Sequence, residues 1–64
     1  MIKTIKAKED LVMDHGEQSF TKGKEYSVIS ESRYLNSNVR VYDDHDDVHT
    51  LGSWFTKFEI VEND

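Results

Sequence analysis

The densest run of side chains able to do chemistry is Asp43-Asp44-His45-Asp46-Asp47, with His49 two residues on. Carboxylate oxygens suit hard divalent cations, and imidazole suits zinc. Neither is matched: the spacing is not a calcium-loop pattern, and His15, His45 and His49 do not form a helical pair, since His45 and His49 flank a turn. Cysteine is absent, which removes thiolate ligands and a thiol nucleophile. Ser19, Ser27, Ser30, Ser32, Ser37 and Ser53 stand in no motif that would activate a hydroxyl. No catalytic residue, metal or cofactor is expected, and the chain reads as non-enzymatic. A carboxylate run in a turn is first of all solvated charge. Read as a functional element, Asp43, Asp44, Asp46 and Asp47 form an acidic, DNA-like ridge for the basic surface of a partner protein, with Phe55 as a further interface residue.

A second group joins aromatic rings to cations. Tyr34, Tyr42 and Trp54 lie near Arg40, His49 and Lys57 in the sequence. Rings of this kind stack on a base while cations neutralise phosphate. The same residue types anchor protein interfaces. In a third reading, Trp54 and Phe55 only cap the end of the fold. The ligand-binding reading assigns Tyr34, Arg40, Tyr42, His49, Trp54 and Lys57 to a small anionic nucleotide. A chain of 64 residues is too short to enclose such a ligand in a cavity of its own. The pockets would then lie between subunits, so a homo-oligomer is expected.

Composition narrows the partners. Eight basic against thirteen acidic residues give a formal charge of −5, and the pI is about 5.0. A duplex nucleic-acid partner is excluded in this reading, because such binding needs a basic face that releases counterions. One domain over residues 1–64 is expected. Apolar runs such as Leu11-Val12-Met13 are too short for a membrane span or a signal peptide. A cytoplasmic protein without a membrane partner is the expectation.

The elements that must position these residues are strands. Fourteen residues are Val, Ile or Thr and seven are aromatic, types that suit a pleated, half-buried surface. No stretch keeps apolar residues at helical spacing for three turns. The alternation predicts strands over 1–7, 11–13, 19–21, 25–31, 39–42, 48–51 and 58–61. Turns are expected at Asp14-His15-Gly16-Glu17, Lys22-Gly23-Lys24, Asn36-Ser37-Asn38 and Asp43–Asp47. One helical turn is expected over 53–57, capped by Ser53. The predicted core is Ile5, Val12, Phe20, Tyr26, Val28, Val39, Val41, Leu51, Phe58 and Ile60.

The run Gln18-Ser19-Phe20-Thr21-Lys22-Gly23-Lys24-Glu25-Tyr26-Ser27-Val28-Ile29 resembles the diverging-turn segment of SH3 domains. The order of loops around it is similar as well: a long first loop upstream, a variable loop near Tyr34 to Asn38, a hairpin turned at Asp43–Asp47, and Ser53-Trp54-Phe55 before the last strand. The resemblance implies an all-β fold: a small five-stranded SH3-like barrel with one short 3₁₀ turn near the C-terminus. The residues of the proline-peptide groove are missing. Ala7-Lys8-Glu9-Asp10 replaces its first-strand tyrosines, and Asn38-Val39-Arg40 replaces its tryptophan. Proline-peptide recognition is therefore not implied. The Phe20-Thr21-Lys22-Gly23-Lys24-x-Tyr26 segment, the acidic turn and the Phe55-x-x-Phe58 ending are also similar to tiny proteins of bacteriophages of low-GC hosts. That likeness implies an inhibitor of host defence, acting on a host defence protein or on a small nucleotide signal.

Overall fold

A computed structural model describes residues 2–12, 16–30 and 39–63. Tyr34, the expected turn at Asn36-Ser37-Asn38 and the Asp14-His15 half of the first turn lie outside the described residues. The elements run β1 (Ile2–Ala7), β2 (Leu11–Val12), β3 (Gln18–Phe20), β4 (Glu25–Ser30), β5 (Arg40–Tyr42), β6 (Val48–Thr50), a 3₁₀ turn (Gly52–Lys57) and β7 (Phe58–Asn63). The fold is mostly β. Five strands form one sheet in the order β6-β5-β4-β1-β7, and β2 and β3 form a separate two-stranded sheet. Every pairing is antiparallel. β1 thus sits between β4 and β7, so the beginning of the chain is held by both its middle and its end.

The core is built where alternating side chains from these strands converge. Ile2, Ile5 and Ala7 come from β1, Leu11 from β2, Phe20 from β3 and Tyr26 from β4. Val39, Val41, Leu51 and Phe58 complete it, with Val28 and Phe55 packed against it while partly exposed. Phe20 is the hub. Its ring meets Tyr26 edge-on at 4.9 Å and Phe58 edge-on at 5.1 Å, the arrangement that the ring quadrupole favours.

Two core assignments are corrected. Val12 is 54% exposed and its neighbour Leu11 is buried instead. The β2–β3 register shifts between these two residues, and a one-residue shift exchanges the faces of a strand. Ile60 is 48% exposed, because β7 is an edge strand at the rim of the sheet. The uneven spacing of Ile2, Ile5 and Ala7 has a related cause: the β1–β7 register shifts on both sides of Thr4, which lets residues three apart both turn inward.

Two turns set the position of everything that follows. Gly23 has φ of 82°, a left-handed conformation that a side chain would strain. This turn is tied to β1, since Gly23 N donates to Ala7 O at 2.9 Å and Ala7 N donates to Lys24 O at 3.1 Å. The Asp43–Asp47 turn closes with Asp43 N donating to Asp47 O at 2.9 Å, and Asp46 takes φ of 62°. Aspartate tolerates that conformation better than most residues. The 3₁₀ turn begins one residue before the predicted helical turn. Leu51 stands at its N-cap without a side-chain hydrogen bond. Ser53 is therefore inside the turn and not its cap; its carbonyl accepts from Thr56 Oγ1 at 3.1 Å.

Candidate functional site

The acidic turn is divided between the inside and the outside. Asp43 is buried. Its Oδ1 accepts the backbone N–H of His45 at 2.8 Å and of Asp47 at 2.9 Å. Its Oδ2 accepts from His49 Nε2 at 2.7 Å; an ionised carboxylate only accepts, so His49 carries that proton. Burial pushes the Asp43 carboxyl up, but the N–H groups of Asp47 and His45 together with His49 outweigh it and hold it below the ordinary carboxylate range.

Asp44 reaches the other way, into the turn after β3. Its Oδ1 accepts from Lys24 Nζ at 2.7 Å and Tyr26 OH at 2.8 Å, and its Oδ2 accepts from Thr21 Oγ1 at 2.8 Å. Tyr26 OH in turn accepts the Thr21 N–H at 2.7 Å, and Asp44 N donates to Ser19 O at 2.8 Å. Burial again pushes the carboxyl up, and Lys24, Thr21 and Tyr26 bring it below the ordinary range. The Tyr26 hydroxyl is raised, first by burial and then by the nearby Asp44. These groups act as a clamp between two turns far apart in sequence. Alternation does not reveal it. The signal in the sequence is the cluster of hydroxyls and ammonium in Thr21-Lys22-Gly23-Lys24-Glu25-Tyr26, which needs a carboxylate to receive it.

The expected ridge is thus reduced. Asp46, Asp47 and His45 are exposed, while Asp43 and Asp44 spend their oxygens internally. His49 is half-buried, bonded to Asp43, with its ring 5.8 Å from that of Phe20. It faces the core end of the hairpin and not the outer side of the sheet.

The outer side of β4, β5 and β6 carries a different surface. On β5, Val41 points inward while Arg40 and Tyr42 point outward. Tyr42 is paired in register with Val48, and Arg40 with Thr50. On β4, Val28 lies opposite Val41 and Ile29 falls at the irregularity beside Arg40. Ile29 is 39%, Tyr42 49% and Val48 45% exposed. The Arg40 guanidinium makes no hydrogen bond or ion pair with other described residues, whereas Lys24 is paired with Asp44 and Lys57 with Glu9. A cation without a partner among the described residues, near an aromatic ring and two exposed aliphatic side chains, can take a flat, anionic group by stacking and charge.

Trp54, Phe55 and Lys57 stand apart on the 3₁₀ turn. Trp54 is 37% exposed and Phe55 leans on the core. Lys57 Nζ lies 3.3 Å from Glu9 Oε1, and its carbonyl accepts the Lys8 N–H at 2.9 Å. Among the described residues, no hydrogen bond or ring contact joins this turn to Arg40 or Tyr42. Within one chain the described part of the predicted ligand group therefore separates into Arg40 and Tyr42 on β5, Trp54 and Lys57 on the 3₁₀ turn, and the inward His49.

Among the described residues no three His, Asp or Glu are grouped so as to hold a metal ion, and no helix is long and apolar enough to cross a membrane. Comparison with protein-family models, curated protein sequences and solved structures finds no match to this chain.

Proposed function

We propose that this chain is a non-enzymatic binding protein that holds a small anionic nucleotide on the outer face of β4, β5 and β6, where two copies meet. The observation that supports this reading is the pair Arg40 and Tyr42: both outward on β5, the ring half-exposed, the guanidinium unanswered among the described residues. The ring stacks on the base and Arg40 meets the phosphate. The second copy supplies the wall that a chain of this length lacks, and Trp54 and Lys57 enter from that copy. Given the likeness to small bacteriophage proteins, the ligand we infer is a nucleotide signal of host defence, and the protein an inhibitor that removes the signal by sequestration. The scaffold in this proposal is an SH3-like barrel that leaves the β7 edge open. The strand order, the short β2–β3 sheet in the first long connection and the 3₁₀ turn before β7 support it.

The rival reading, an acidic ridge gripping a host defence protein, has less support, because two of its four aspartates are engaged internally. A plain interaction module would use the same outer face without a nucleotide. Calorimetry against a panel of cyclic and linear nucleotides separates them. Binding by one member is expected, weakened about tenfold or more in Arg40→Ala and in Tyr42→Ala, the size expected for loss of one stacked base. Absence of binding by every nucleotide at micromolar protein overturns the proposal.

A further inference from the structure

A second surface lies at the opposite end of the sheet from β6 and is independent of the nucleotide reading. β7 is six residues long and, among the described residues, is paired only with β1, so the sheet order leaves its other edge without a described strand. Exposed edges are ordinarily blunted by shortness, Pro, or Lys. The other terminal strand, β6, is only three residues long. β7 is not short and contains neither Pro nor Lys; its charges are Glu59 and Glu62, and Ile60 and Val61 are 48% and 46% exposed.

The covered edge of β7 shows which chemistry suits it. β1 reads Ile-Lys-Thr-Ile-Lys-Ala, with Lys6 opposite Glu59, Ile5 opposite Ile60 and Thr4 opposite Glu62. Thr4 Oγ1 donates to Glu62 Oε1 at 3.3 Å. Among the described residues neither Glu59 nor Glu62 makes an ion pair. In no register does the β7 of a second copy bring a Lys or Arg to Glu59 or Glu62. Antiparallel pairing that sets Ile60 on Val61 also sets Glu59 on Glu62 twice, in a chain already at −5. We propose that the free edge of β7 takes up an extended basic segment of a partner protein, with Lys or Arg opposite Glu59 and Glu62 and a β-branched residue opposite Ile60. Main-chain hydrogen bonds would supply affinity, and the alternate side chains specificity.

The test uses a capped hexapeptide of the β1 sequence, Ile-Lys-Thr-Ile-Lys-Ala, added to the isotope-labelled protein. Saturable shifts and slowed hydrogen exchange are expected at β7 amides, with β5 amides unmoved. Glu59→Lys combined with Glu62→Lys should weaken binding about tenfold, the sum of two cross-strand charge pairs turned repulsive. N-methylation of alternate peptide residues should abolish binding while leaving the charge intact, so the result does not depend on that variant folding. The proposal is overturned by shifts confined to β5, by loss of protection in β1 as the peptide replaces it, or by binding that survives N-methylation. It is overturned equally by β7 shifts that follow protein concentration without peptide, since the occupant would then be a second copy. Failure of nucleotide binding leaves these readouts unaffected, because they report β7 amides.

Discussion

At the residue scale, neighbouring aspartates have separate tasks. Asp43 holds its own turn and His49, while Asp44 reaches across to Thr21, Lys24 and Tyr26. Both carboxyls are held below their ordinary range in the folded protein, as their partners outweigh burial. A depressed carboxyl stabilises the fold fully above its unfolded value, about 3.9, and that contribution disappears as pH falls through the lower folded value. The melting temperature should therefore drop steeply below about pH 4. In Asp44→Asn the same scan should be shallower, as followed by circular dichroism. Asp43→Ala should cost about 2–3 kcal/mol in urea denaturation, since two backbone N–H groups and His49 lose a charged acceptor. A loss below half of that would mean that the turn closes without its carboxylate. None of this was legible in a run of like charges, because the acceptor and its donors are joined only by tertiary structure.

At the scale of elements, strand identity was legible and strand facing was not always so. β4 and β5 keep alternating burial around Tyr26, Val28 and Val41 despite the irregularity between Val28 and Ser30, and the outward placement of Arg40 and Tyr42 follows from it. β2 does not, because a register shift lies between Leu11 and Val12. The two residues are alike in type, so sequence offers no means of choosing between them. Stability does. Leu11→Ala should cost about 2–4 kcal/mol, as for a buried leucine. Val12→Ala should stay within about 0.5 kcal/mol, as for a surface site. Equal losses in urea titration would contradict the facing described. For the candidate site, the half on β5 was legible through its alternation. The 3₁₀ half was not, since exposure of Trp54 depends on how the turn docks against Lys8 and Glu9.

At the scale of the whole molecule, ten buried apolar residues among those described gather around one ring. Phe20→Ala should cost about 3–5 kcal/mol, which rivals the entire net stability that a single core of this size supplies, about 3–5 kcal/mol. The expected outcome is loss of a cooperative thermal transition in calorimetry at room-temperature start. A sharp transition in that variant would show that stability comes from elsewhere, such as association between copies.

The pairing of Ile2 with Asn63 has a consequence for how the chain may be rewired. Residues facing each other across an antiparallel ladder stand only about 5 Å apart, so a short glycine-rich link could join Ile2 to Asn63 in a ring. Such a circle has fewer shapes open to it when denatured, and gains stability on that account alone. Cutting the circle at the exposed Lys22 loop would yield a permuted chain of the same shape, in which the old first and last strands become a single hairpin.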